Sequence, residues 1–135
     1  DFAGRSQEEF DALLTRQLRM TVTDESLMTG ETLRAYLAPH RSAPGRVSFF
    51  EHQVRHYDAT YTQEISDRLG SLTMPVRILW GEDDRWQPLS YAERLRDDIP
   101  GADLVVVPGA GHFLMEDAPD RVVREIGDFL TTPSG

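Results

Sequence analysis

The sequence predicts an α/β fold in which two parallel strands with flanking helices follow an all-α segment. Three observations carry this reading. Apolar residues recur at helical spacing through roughly the first seventy positions. Two short apolar runs, Val76 to Trp80 and Leu104 to Val107, then appear, and a glycine-bearing turn ends each one. Each run is followed by another helical pattern, and strands that are continuously rather than alternately apolar belong to parallel βαβ units covered by helices on both faces.

From Ser6 to Leu18 the pattern is helical: Ser6 and Glu9 make a capping-box pair, and Phe10, Leu13, Leu14 and Leu18 share one face. A second short helix is expected from Gly30 to Leu37, with Leu33, Tyr36 and Leu37 as its stripe and Pro39 soon after its end. Pro44 stands at a first helical position before Val47, Phe49, Phe50 and Val54. Tyr61, Ile65 and Leu69 continue a later helix that Gly70 should close. Beyond Pro75 the character changes. The strand Val76 to Trp80 stops at Gly81 and the acidic turn Glu82-Asp83-Asp84, and Leu89 to Ile99 reads as the crossover helix to a parallel neighbour, Leu104 to Val107. Pro108 and Gly109-Ala110-Gly111 end that second strand. Pro119 opens a last helix with Val122, Val123, Ile126, Phe129 and Leu130 expected inward, and the tail from Thr131 to Gly135 should fray.

Composition narrows the function classes. A net charge of −9 argues against nucleic-acid binding, which needs clustered Lys and Arg to neutralise phosphates. Charges, Gly or Pro interrupt every apolar stretch well short of the ~18 residues of a spanning helix, so no membrane partner is expected. The absence of Cys removes any disulfide framework or thiolate metal site and suits the cytoplasm, the expected location. A chain that begins at Asp1 rather than Met fits a processed chain, an internal fragment or a cloned segment. His52 and His56, four apart beside Glu51, have a spacing that can hold a metal, but the local pattern offers no third ligand, so no metal is expected.

Open α/β sheets place functional residues at the carboxyl ends of strands. Two such loops exist here: Gly81-Glu82-Asp83-Asp84-Arg85-Trp86, and Gly109-Ala110-Gly111-His112-Phe113. An acid on one strand end and a histidine on the next is the pairing a general base needs, because the carboxylate fixes the imidazole's tautomer and stabilises its protonated form. Either residue alone has a plain structural reading: an acidic turn is usually solvated punctuation, and a histidine can be a hydrogen-bonded structural residue. Trp86 and Phe113 directly follow the two positions and are candidate pocket walls. Phe49, Phe50, Tyr57 and Tyr61 suit an apolar substrate pocket or ordinary packing equally well.

These two loops and the strands before them resemble the cap-bearing α/β-hydrolases, a family that includes esterases, carbon–carbon bond hydrolases, cofactor-free haloperoxidases, epoxide hydrolases and haloalkane dehalogenases. Pro75-Val76-Arg77-Ile78-Leu79-Trp80-Gly81-Glu82-Asp83-Asp84 is similar to the family's seventh strand and acid loop. Pro100-Gly101-Ala102 through Gly111-His112 is similar to its eighth strand and histidine loop. The resemblance implies a C-terminal portion of an α/β-hydrolase fold, with residues 1–57 as a helical lid segment and 58–135 as the C-terminal part of the core. It implies Asp84 and His112 as catalytic acid and histidine, Asp83 as a supporting turn residue, and no cofactor. The implied substrate is a small molecule, apolar if Trp86, Phe113 and the lid aromatics line its site. The nucleophile elbow of the family sets two small residues four positions apart around a Ser, Asp or Cys, and no two glycines here have that spacing. The expectation is therefore a chain that needs a missing N-terminal half as partner and is inactive alone. A non-catalytic half-domain that binds a partner or ligand is the alternative. A strand edge left unpaired by the missing half should drive homo-oligomerisation.

Overall fold

The computed structural model describes residues 6–49 and 56–131. Helix α1 (Gln7–Arg19) starts at Ser6, whose hydroxyl accepts the Glu9 N–H while the Glu9 carboxylate accepts the Ser6 N–H. This reciprocal cap satisfies donors that a helix start would otherwise leave bare. Helix α1 buries Phe10 and Leu18, and α2 (Gly30–Leu37) packs on it and buries Leu37. Leu18, Val22, Met28 and Leu37 form a cluster against which Leu14, Leu33, Tyr36 and Phe113 pack. Fully buried side chains such as Val22 and Met28 each contribute on the order of 1.5–3 kcal/mol. The short α3 (Ala43–Val47) carries Pro44 in its first turn, held by the Ser42 hydroxyl accepting the Gly45 N–H. Phe50, His52 and Val54 lie outside the described residues.

Helix α4 (Thr60–Ser66) is shorter than expected: it stops before Leu69, and Gly70 sits inside a separate 3₁₀ turn, Leu69–Ser71, rather than closing the helix. Two local features favour this. The Thr62 and Ser66 hydroxyls donate to the carbonyls of Ala59 and Thr62, bonds that compete with regular helix, and Tyr61 and Ile65 remain exposed, so no packed face extends it.

Strands β1 (Arg77–Gly81) and β2 (Asp103–Val107) are parallel neighbours, in register from Arg77 opposite Asp103 to Gly81 opposite Val107. Helix α5 (Leu89–Asp98) crosses between them and packs on both, with Ala92 and the adjoining Ile99 buried. Burial rises along the strands: most of their residues are half-buried, whereas the last pair, Gly81 and Val107, is buried. At the other end Arg77 pairs with Asp103 at 2.9 Å and with Glu125 at 3.2 Å, its guanidinium 5.6 Å from the Phe129 ring centre. The chain closes with a short α6 (Leu114–Asp117), unforeseen in the sequence, and α7 (Pro119–Thr131). The expected inward stripe of α7 is only partly inward. Val122 and Phe129 are half-buried, but Val123, Ile126 and Leu130 are 70%, 47% and 74% exposed. Amphipathic spacing fixes which residues share a face, not that a partner covers it.

Candidate active site

The buried ends of β1 and β2 hold the two loops together. Beyond β1 the Glu82 N–H donates to the Val107 carbonyl and the Asp83 N–H to the Ala110 carbonyl, so the acidic turn is stitched to the loop that carries the histidine. Glycine is required at the crossing: a Cβ on Gly81 would lie 2.2 Å from the Gly111 carbonyl oxygen. Gly109 takes a left-handed φ of +68°, which turns the chain sharply after β2.

Asp84 Oδ2 lies 2.9 Å from His112 Nδ1, and the Asp84 side chain is only 5% exposed. Its other oxygen, Oδ1, accepts the backbone N–H groups of Trp86 and Gln87, each at 2.8 Å. The turn thereby orients the carboxylate before it meets the ring. An imidazole that donates Nδ1–H to a carboxylate carries a lone pair on Nε2, where it can take up a proton. Among the described residues nothing bonds that nitrogen, and the His112 side chain is 37% exposed. Asp83 contributes its backbone to the turn while its side chain points to solvent.

The flanking aromatics come together with this pair. The Trp86 and His112 ring centres are 6.2 Å apart, Phe113 stacks on His112 at 5.8 Å, and Tyr36 of α2 stacks on Phe113 at 5.3 Å. Phe49 is placed elsewhere, edge-on to Phe10 and His40 at 6.1 and 5.1 Å. Phe50 lies outside the described residues, and Tyr57 and Tyr61 are strongly exposed. No group of three His, Asp or Glu suited to a metal occurs among the described residues. A cavity of about 550 Å³ lies between α4 and α5, lined in part by Tyr57, Trp80, Tyr91 and Arg94, and includes neither Asp84 nor His112.

Sequence reasoning missed several residues at this site. The Tyr36 hydroxyl donates to Glu116 at 2.8 Å, and burial, then this bond and the Glu116 charge, pushes the phenol up to about 12. The Asp117 carboxylate accepts the N–H groups of Thr23 and Gly111. Thr21, Thr23 and Asp117 carry no motif, and Tyr36 reads simply as part of the α2 stripe.

The sequence model of the alpha/beta hydrolase family matches residues 2–125. Over 118 residues the chain is 30% identical to a 2-hydroxy-6-oxononadienedioate/2-hydroxy-6-oxononatrienedioate hydrolase of Dechloromonas aromatica, covering 87% of this chain and 40% of that protein. It is 30% identical over 117 residues to a 2-hydroxy-6-oxo-6-phenylhexa-2,4-dienoate hydrolase of Burkholderia cepacia, with 87% and 41% covered. A crystal structure of an alpha/beta hydrolase fold protein from Burkholderia ambifaria superposes with a TM-score of 0.86 at 32% identity, covering 94% of this chain and 46% of that one. The chain thus spans about two-fifths of the length of these curated relatives.

Proposed function

Because the chain belongs to the alpha/beta hydrolase family, we propose that it supplies the acid and histidine of a hydrolytic triad whose nucleophile lies on a segment outside it. His112 acts as general base and then general acid, and Asp84 holds the ring. The observation that carries this reading is the 2.9 Å contact between Asp84 Oδ2 and His112 Nδ1 at the ends of adjacent parallel strands. Residues 1–57 serve as lid segment and 58–135 as the C-terminal part of the core. Trp86 and Phe113 wall the substrate space beside His112, with Tyr36 behind Phe113. The packing of Phe49 on Phe10 and His40 favours a supporting place within the lid. The proposed reaction needs no metal or cofactor.

Asp and His serve two chemistries. A Ser nucleophile would give acyl transfer through an ester intermediate, and an Asp nucleophile would give displacement on carbon. The names of the two curated relatives make 2-hydroxy-6-oxo acids the first substrates to try. The test assays a 2-hydroxy-6-oxo-dienoate, a p-nitrophenyl ester, a haloalkane and an epoxide, with the chain alone and with its nucleophile-bearing upstream segment. Alone, the chain should stay at background, since loss of a triad nucleophile costs on the order of 10⁶ in turnover. The assembled protein should hydrolyse one substrate class, and His112→Ala should abolish turnover with the thermal midpoint nearly unchanged. Activity of the chain alone that His112→Ala removes would overturn the division of the triad.

A further inference from the structure

His112 is held at two levels. Asp84 fixes its ring, and a second carboxylate acts on the backbone beside it. The Gly111 N–H, immediately before His112, donates to Asp117 Oδ2 at 2.7 Å, and the Phe113 N–H, immediately after it, donates to the Thr21 carbonyl at 2.8 Å. The same Asp117 carboxylate accepts the Thr23 N–H, at 3.0 Å to Oδ1 and 3.2 Å to Oδ2. Thr23 Oγ1 lies 2.8 Å from the Gly109 carbonyl and 3.0 Å from Asp117 Oδ1, and its single proton serves one of them at a time. The loop is also pressed tightly onto this segment, since a Cβ on Gly111 would lie 2.8 Å from the Thr21 carbonyl oxygen.

We propose that Asp117 is a positioning residue for His112, clamping the histidine loop to the Thr21–Thr23 segment that follows α1, so that placement of the lid segment and alignment of the base are coupled. The proposal rests on the reading of His112 as the general base. Its chemistry is specific to a carboxylate: two N–H donors from different segments converge on one side chain, and bonds to an ionised acceptor are roughly twice as strong as neutral ones. An amide at this position has one acceptor oxygen: placed at Oδ2 it keeps the Gly111 bond but only the longer 3.2 Å contact to the Thr23 N–H, and its NH₂ then faces that donor in place of the 3.0 Å bond to Oδ1. None of the clamp's hydrogen bonds goes to the imidazole, so their effect on the ring passes through the backbone.

The test is made on the chain itself, by proton NMR at low temperature. The Nδ1–H of His112, bonded to Asp84, should give a downfield resonance that both His112→Ala and Asp84→Asn remove. In Asp117→Asn the solvent exchange of that proton should rise about tenfold, the loss expected for one hydrogen bond to a charged group. Thr23→Val, which keeps the backbone bonds and removes only the hydroxyl, should raise it less, and Thr23→Ser should restore the parent rate. Exchange unchanged in Asp117→Asn, with the resonance still assigned to His112, overturns the clamp. If Asp117→Asn fails to fold, unchanged exchange in Thr23→Val overturns it instead. A resonance that survives Asp84→Asn counts against the Asp84–His112 pairing rather than against the clamp.

Discussion

Tyr36 and Glu116 sit eighty positions apart yet share one hydrogen bond beside the candidate histidine, and this gives the site a measurable response to alkali. The Tyr36 phenol is raised from 10.0 to about 12, chiefly by burial and then by its bond to Glu116. The folded chain therefore keeps a proton that the unfolded chain releases above pH 10. Stability from this group is complete below pH 10 and is lost as the pH climbs towards 12. Thermal unfolding followed across that window should show a steep fall in midpoint for the parent chain and a shallower one for Tyr36→Phe. Parallel curves would contradict it.

The elements differ in how openly the sequence announced them. The α1 cap was legible because Ser6 and Glu9 recognise each other locally, and the two strands because Val76 to Trp80 and Leu104 to Val107 are bounded by Gly and Pro. The meeting of Asp84 and His112 was legible because a parallel pair brings the loops at its two carboxyl ends side by side. The Thr23–Asp117 bond was not, for its partners stand 94 positions apart and only the tertiary fold joins them. The end of α4 and the bare side of α7 were misread for a related reason: apolar spacing speaks of a face, while its cover depends on other elements. At the junction of elements, Gly81→Ala should lower the urea midpoint, because the added methyl overlaps backbone oxygens of Ala110 and Gly111 that cannot swing aside. The cost should be about 1–3 kcal/mol. Gly127→Ala in α7, where a methyl meets nothing within 4 Å, should instead stabilise by about 0.5–1 kcal/mol.

For the molecule as a whole, two open surfaces stand out among the described residues: the β1 edge not shared with β2, and the stripe Val123, Ile126 and Leu130 on α7. Exposed strand edges and apolar patches recruit other chains. We predict that the isolated chain forms a homodimer or larger assembly, and that Val123→Lys combined with Leu130→Lys shifts it towards monomer in light scattering. A parent chain that stays monomeric at high concentration would count against this. Long-range order also reaches the candidate site from the far end of the sheet. Two continuously apolar parallel strands hold little information about where one should stop sliding along the other. Arg77, tied to Asp103 across the pair and to Glu125 on α7, supplies a fixed zero for that scale. Such partly exposed ion pairs contribute only about 0–1 kcal/mol. Yet a slip of one residue displaces a strand by ~3.3 Å, more than the whole tolerance of a hydrogen bond. A guanidinium at the base of the strands thus marks, like the index of a vernier, the register in which Asp84 and His112 meet at their tips.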